Sequence, residues 1–356
     1  MTNTRFVGLM GNTAHKIASC VLTNTSVLDM REKMKRMRVG LIDVDGHNYP
    51  NLPLMKISAW HKAKGDSVEW YSPLLHSMCE PFDKVYMSKV FSFTPDFEYY
   101  INAKEVEKGG SGYCISFDNG KEIFDKTKDK DLPYEIEHIY PDYSLYPDQT
   151  KDTAFGFMSR GCPRGCDFCH VKAKEGLVSH KVADLSEFWS GQKFIELLDP
   201  NTLACKDWAD ILQQLADSGA RVNFNQGLDI RLMTEEKAKM LTKIKIDKIH
   251  FAWDRYEDKD IVQPRFEQFK EYTKINFRNL QVFCLCGDRE MRVRQEDLER
   301  IYWLKEQGFS PYVMLYDKDN IPKGHELRKL QRYVNNRFIF WKVPTFEDYL
   351  RGKNED

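Results

Sequence analysis

The sequence predicts an α/β protein, a partial (β/α)6 barrel of the TIM-like kind preceded by a small parallel α/β domain. Two patterns carry that prediction. From Ala154 onward, short apolar runs alternate with amphipathic stretches, making six βα-type units that right-handed crossovers curl into part of a barrel. Between Arg38 and Asp118, strand, helix and further strands follow in the order of a parallel unit. The 356 residues suffice for one large domain or two ordinary ones.

Residues 1–37 are expected to be an N-terminal extension, since MKRMRVGLIDVDG from Met34 reads like a natural start. The first domain is placed over 38–125. RVGLIDVD suits a buried parallel strand, and PLMKISAWHKAKG a helix with Gly65 at its C-terminal cap. SVEWYS and DKVYMSKVF read as strands, and KEVEKGGSGY as a strand entering a glycine loop. TKDKDLPYEIEHIYPDYSLYPDQ has no sustained period and is read as a linker, 126–150.

The barrel is placed over 151–318. AFGFMSRGC is its first strand, VADLSEFWSG a helix and KFIELLDPN the second strand. CKDWADILQQLADSG puts Trp208, Ile211, Leu212 and Leu215 on one helical face and closes at Gly219. RVNFNQGLDIR, DKIHFAWD, LQVFCLC and PYVMLYD are the remaining strands. TEEKAKMLTKI, PRFEQFKEYTKI and EDLERIYWLKEQG are the helices between them. Residues 319–356 form a C-terminal helical segment in which RKLQRYVNNRFIFWKVPTFEDYLRG interleaves basic and aromatic side chains. A nucleic-acid surface has that texture. So has a helix packing Leu, Tyr and Val over a barrel mouth, which is the expectation here.

A formal net charge of -1 excludes a global basic field, though not a local groove. No apolar run reaches membrane-spanning length, and the N-terminus lacks a signal-peptide pattern. The expectation is a cytoplasmic chain with no membrane partner. Thiols stay reduced there, so clustered cysteines point to metal or catalysis.

Of nine cysteines, three fall within SRGCPRGCDFCHV: Cys162, Cys166 and Cys169. A structural zinc site wants four ligands, often as two C-x2-C pairs. The next cysteine, Cys205, belongs to another element, and His170 is awkwardly adjacent to Cys169. A [4Fe-4S] cluster also takes four thiolates as a rule, so three would leave one iron open. C-x3-C-x2-C directly after a strand, with Phe168 before the last cysteine, resembles the radical S-adenosylmethionine superfamily. The resemblance implies the partial barrel already read from periodicity. It also implies a [4Fe-4S] cluster on Cys162, Cys166 and Cys169, with S-adenosylmethionine bound at the open iron. Electron transfer into the S–C5′ bond then releases methionine and a 5′-deoxyadenosyl radical, the electron coming from a donor such as flavodoxin or ferredoxin.

Barrel ligands gather at the C-terminal strand ends. LLDPN offers Asp199 and Asn201 where the superfamily holds the amino group, although the common glycine-glycine-glutamate form is absent. Asn225 and Gln226 suit ribose hydroxyls, and Arg231 a carboxylate. Trp253, Asp254 and Arg255 follow the fourth strand. After the fifth, FCLCGDRE resembles the adenine-side motif through Leu285, Gly287 and Glu290. Cys284 and Cys286 are expected to be buried, on opposite faces of that strand.

The first domain resembles the Rossmann-like, cobalamin-binding module of one branch of the superfamily. Asp45, His47 and Pro50 approach its Asp-x-His-x-x-Gly motif, and Gly109 and Gly110 stand at its glycine pair. Proline in place of glycine argues against bound cobalamin. A methylthiotransferase-like reading would use Cys20, Cys79 and Cys114 for a second cluster, but no C-terminal β-domain is evident. A non-catalytic iron–sulfur or zinc clip is the competing class. The substrate is left open among small molecule, RNA and peptide.

Overall fold

The computed structural model describes residues 36–118, 121–274 and 280–352. Packing divides the chain into two units. One takes Met1–Ile42, of which 36–42 are described, with His61–Met87 and Phe97–Glu107; the other takes Asp43–Trp60, Ser88–Asp96 and Lys108–Asp356.

The first sheet joins β1 (Arg38–Asp43), β2 (Ser67–Trp70), β3 (Lys84–Ser88) and β4 (Val106–Gly109) in the order β2-β1-β3-β4. β1 and β2 are parallel, with Arg38 opposite Ser67. Val39, Leu41 and Val85 are fully buried, as expected of a short apolar strand with both faces covered. Helix α1 (Leu52–Ala63) follows β1, and Gly65 reverses the chain just after it with φ +88°. β5 (Ile115–Asp118) and β6 (Lys121–Phe124) form an antiparallel hairpin.

In the second unit, β7 (Thr153–Gly156) is followed by two short strands, β8 (Ser159–Arg160) and β9 (His180–Lys181), paired antiparallel. Then come β10 (Phe194–Leu197), β11 (Arg221–Leu228), β12 (Lys245–Ala252), β13 (Leu280–Cys286) and β14 (Ser310–Leu315). The second sheet runs β14-β13-β12-β11-β10-β7, and each neighbouring pair is parallel. Parallel neighbours need crossovers. Four of these hold helices of seven residues or more: α2 (Trp208–Ser218), α3 (Glu235–Leu241), α4 (Lys259–Tyr272) and α5 (Gln295–Glu306); the one from β7 to β10 holds only the one-turn helix Val171–Lys174.

Alternation along the strands divides the side chains between two faces. Val222, Phe224, Ile249, Phe251, Val282 and Val313 join Ile211, Leu215, Phe266 and Ile301 in one hydrophobic core. The intervening positions present Glu196, Asn223, His250, Phe283 and Tyr312 on the other face. Glu196 lies opposite Asn223, and Phe283 opposite Tyr312.

Several sequence expectations are corrected. VADLSEFWSG makes only a single 3-10 turn, Leu185–Glu187. AFGFMSRGC breaks into β7 and β8. The helix expected from Pro264 starts earlier and carries that proline inside it. Cys284 and Cys286 are two residues apart and so share a face, both wholly buried in the row of Leu280 and Val282. The presumed linker contains one-turn helices at Tyr134–Glu137 and Pro147–Thr150, and buries Tyr146. The C-terminal segment is three helices, α6 (Glu326–Asn335), α7 (Arg337–Lys342) and α8 (Phe346–Gly352). They bury Leu330, Tyr333, Val334, Phe340 and Phe346, so the Leu, Tyr and Val face packs as expected, but α6 lies along the β14 edge and not over a barrel mouth. Among the described residues no helix is long and apolar enough to cross a membrane.

Candidate functional site

The three clustered cysteines occupy the tip of the β8–β9 hairpin, beyond the C-terminal end of β7. Its neck is fixed by two carboxylates. Asp199, at the end of β10, accepts from the Met158 and Ser159 amides at 2.7 and 2.9 Å, and from Ser159 Oγ at 2.6 Å. Glu175 accepts from the Gly161 amide at 3.0 Å and from Arg160 Nη1 at 2.9 Å. Gly161 has φ +83°, and a Cβ there would lie 2.2 Å from the Val178 carbonyl oxygen, so only glycine fits. The Cys162 amide then bonds the Gly176 carbonyl, and the Cys169 amide bonds the Cys166 carbonyl.

All three thiols are partly exposed and free. Burial raises the Cys166 thiol above its usual range, with Cys169, Asp254 and Cys162 adding to that and Arg231 opposing it. Burial likewise raises Cys169, the Val171 amide opposes it, and Cys162 adds to it. Cys162 thus adds to the shift of both Cys166 and Cys169. Among the described residues, however, no three His, Cys, Asp or Glu side chains already converge at metal-holding distance. His170 is turned aside, its Nε2 3.0 Å from Glu122 Oε2, and Phe168 is exposed on the loop.

The donor chemistry nevertheless suits a thiolate-held group. Asn201 Nδ2 lies 3.4 Å from Cys162 Sγ, while its buried Oδ1 has no partner. Buried polar atoms are ordinarily satisfied, so this oxygen marks a place for a donor that the chain does not supply. Asp199 is different. It is buried, both oxygens are engaged at the hairpin neck, and burial raises its carboxyl to about 6.

The other strand-end residues fall into two groups. Asn225 Nδ2 donates to Tyr49 Oη at 3.0 Å, and Gln226 is exposed beside it. Arg231 is tied to Asp229 at 2.8 Å and to Asp258 at 2.7 Å. Asp229 also holds Arg164 of the cysteine loop. Burial would raise the Asp229 carboxyl, but Arg231 and Arg164 outweigh it and hold it low. Asp254 Oδ1 accepts from the Leu285 amide at 3.0 Å, and burial raises its carboxyl. Gly287, at φ +89°, donates its amide to Asp297. Glu290 is exposed and pairs with Arg292.

One arrangement was not legible in the sequence. Asp297 and Arg300 of α5 are both fully buried and 2.6 Å apart. Arg300 donates to the Trp253 carbonyl, ending β12, and to the Leu285 carbonyl of β13 at 2.8 Å, while Asp297 takes the Gly287 amide. The pair clamps the C-terminal ends of two strands beside Asp254. On paper it is an ordinary i,i+3 pair on an amphipathic helix.

The positions matched to a cobalamin module are occupied by structural bonds. Asp45 accepts from the Val90 and Phe91 amides and from Thr94 Oγ1. The His47 ring lies edge-on to Tyr146, 5.9 Å between centroids, and Pro50 is buried. A Cβ on Gly110 would sit 2.3 Å from the Lys89 carbonyl oxygen, so close backbone packing alone requires glycine there. Cys79 is exposed and Cys114 buried; Cys20 lies outside the described residues. No protein-family model matches the chain, and no curated protein matches it.

Proposed function

We propose that the chain is a radical S-adenosylmethionine enzyme whose cluster is held by Cys162, Cys166 and Cys169. The observation that carries this reading is the set of three half-exposed thiols on a braced hairpin tip, next to an amide whose oxygen lacks a partner. In this reading the six parallel strands form the partial (β/α)6 barrel, and the hairpin stands at the C-terminal strand ends where barrel sites form. Bound there, a [4Fe-4S] cluster with S-adenosylmethionine would supply one-electron reductive cleavage of the sulfonium S–C5′ bond.

The chain's own residues then have distinct roles. Asn201 Nδ2 donates toward Cys162 Sγ at 3.4 Å and so orients that side chain, leaving Oδ1 to accept from an ammonium. Asp199 and Glu175 are positioning residues, fixing where the hairpin emerges. Arg164 ties the loop to Asp229 and so to the end of β11. Asp254 and the Asn225–Tyr49 pair are the polar groups left to meet the adenosyl moiety or the substrate. Cys162, Cys166 and Cys169 would hold the cluster, and the loop would have to bring their thiols closer together to do so, since metal binding and local ordering are coupled.

Anaerobic reconstitution with iron and sulfide tests this reading. The expected result is about four irons per chain, then slow release of 5′-deoxyadenosine on adding dithionite and S-adenosylmethionine. Cys166→Ala abolishes that release while the chain stays folded. A colourless protein that takes zinc, refuses iron and unfolds on Cys166→Ala would instead establish a structural clip.

A further inference from the structure

The second sheet ends at β14, whose free edge is covered by α6. Asn335 and Gln331 side-chain amides satisfy the edge there: the Val313 amide donates to Asn335 Oδ1 at 2.7 Å, and the Val313 carbonyl accepts from both side chains at 3.1 Å. α6 is two-sided. Leu327, Leu330, Tyr333 and Val334 are buried against the core. Arg328, Gln331, Arg332 and Asn335 recur at the i, i+3, i+4, i+7 spacing of one opposing face.

That face lines an open, shallow depression of about 440 Å³, completed by Tyr312 of β14, by Lys318 and by Asn336. Three cations and no carboxylate line it. Asp317 and Asp319 flank Lys318 in sequence but do not line it, and Asp317 is engaged by Asn320 Nδ2. Arg328 is held in place by bonds to the Lys318 and Ile321 carbonyls at 2.7 and 3.0 Å. The surface continues along α7, where Arg337, Phe338, Trp341 and Lys342 are exposed, Phe338 by 90%. Trp341 is half-exposed and edge-on to Phe340 at 5.4 Å, whereas Phe338 among the basic groups is almost wholly exposed, so the packing that explains Tyr333 and Phe340 does not explain Phe338 and explains only one side of Trp341. Tyr312 extends the aromatic set inward: Phe283 is edge-on to it at 5.9 Å, and His250 stacks on Phe283 at 5.1 Å and 4°.

From this geometry we infer a docking surface for a single-stranded nucleic acid. Lys318, Arg328 and Arg332 take backbone phosphates, and Phe338, Trp341 and Tyr312 offer planes for unpaired bases. Charge gives the phosphate contacts, and exposed aromatics give sequence-tolerant stacking. With a net charge of -1 the chain has no global basic field, so a basic face is a local feature. The inference needs no assumption about the cysteines, because binding is read without turnover.

The test is fluorescence anisotropy of the full chain with a labelled oligothymidylate of about twenty nucleotides, long enough to cover such a surface. Binding is expected to weaken with salt along a straight log–log line. Lys318→Glu with Arg332→Glu, both exposed, should lower affinity at least on the order of tenfold and flatten the salt slope, leaving the melting temperature unchanged. Phe338→Ala with Trp341→Ala should weaken the oligonucleotide on the order of tenfold without affecting inorganic polyphosphate of matched charge. Absence of binding at low salt, indifference to the charge reversal, or polyphosphate competing as well as the oligonucleotide would each overturn the inference.

Discussion

The hairpin tip with Cys162, Cys166 and Cys169 and the buried pair Asp297–Arg300 both serve strand ends of one sheet, yet they are built from opposite materials. The tip is half-exposed backbone around glycines, braced from outside by Asp199 and Glu175. The clamp is two charged side chains with no exposure, bonded to each other and to four backbone groups, with Arg294 a further cation on Asp297. On the proposed reading the loop gathers ligands and can adjust locally, whereas the clamped strand ends stay fixed. The contrast separates what a substitution does to the site from what it does to the fold.

The largest expected effect is on the clamp. Arg300→Met leaves the buried Asp297 with Arg294 as its one remaining cation, 2.8 Å away, and strips the Trp253 and Leu285 carbonyls of a donor, which should cost about 1–3 kcal/mol for each carbonyl left unpaired. Replacing both residues, as Asp297→Leu with Arg300→Met, is not expected to restore stability. Those carbonyls and the Gly287 amide stay unpaired, at about 1–3 kcal/mol for each buried group. Cys166→Ala, on the half-exposed tip, should shift stability by less than about 1 kcal/mol. Urea midpoints at neutral pH order the variants. Equal losses at clamp and tip would break the comparison.

The second effect is pH-dependent and concerns the tip's brace. Burial raises the Asp199 carboxyl from 3.8 to about 6 in the folded chain. The folded state thus binds this proton more tightly than the unfolded state. Its stabilising contribution is complete below about 4, declines as pH rises through the folded value, and levels off above it. Two units correspond to about 3 kcal/mol at most. Asp43 is also raised to about 6, and burial raises Asp254 and Glu196 too, so the wild-type pH dependence is a sum over several groups. Asp199→Asn removes one of them. The stability gap between wild type and variant should therefore narrow between pH 4 and pH 7 by up to about 3 kcal/mol, and urea midpoints tracking in parallel would exclude the assignment.

Strands were more legible than the groups at their ends. Apolar runs such as LQVFCLC and DKIHFAWD read correctly as strands, because burial on a parallel sheet leaves a local trace. The VADLSEFWSG helix failed for a tertiary reason: Phe188 packs over Gly156, where a Cβ would lie 2.3 Å from its ring, and the chain leaves the helix there. Pro264 suggested a helix start through its preference for the first turn, yet α4 begins at Lys259. In the candidate site the cysteines were readable by spacing. Asp199 was readable as a strand-end carboxylate, but not as the acceptor that holds Ser159. The Asp297–Arg300 pair left no signal distinct from a solvent-facing pair, since the partners that identify it lie on β12 and β13.

The smallest global effect should come from Gly161→Ala. Its φ of +83° lies in the left-handed region, and the new Cβ would press on the Val178 carbonyl oxygen at 2.2 Å, so the local cost is about 1–3 kcal/mol. The tip, however, can relax by opening without unfolding the sheet, and relaxation lets less than about 1 kcal/mol appear in a urea midpoint. The effect belongs instead to the loop. Amide exchange over Cys162–Cys169 should accelerate on the order of tenfold, as expected when a sub-global opening becomes easier by about 1.4 kcal/mol. Iron uptake should fall with it, because the thiols lose the neck that presents them. Accelerated exchange across β10 and β11 as well would show that tip and sheet open as one unit, and the distinction between an adjustable loop and a clamped strand end would collapse.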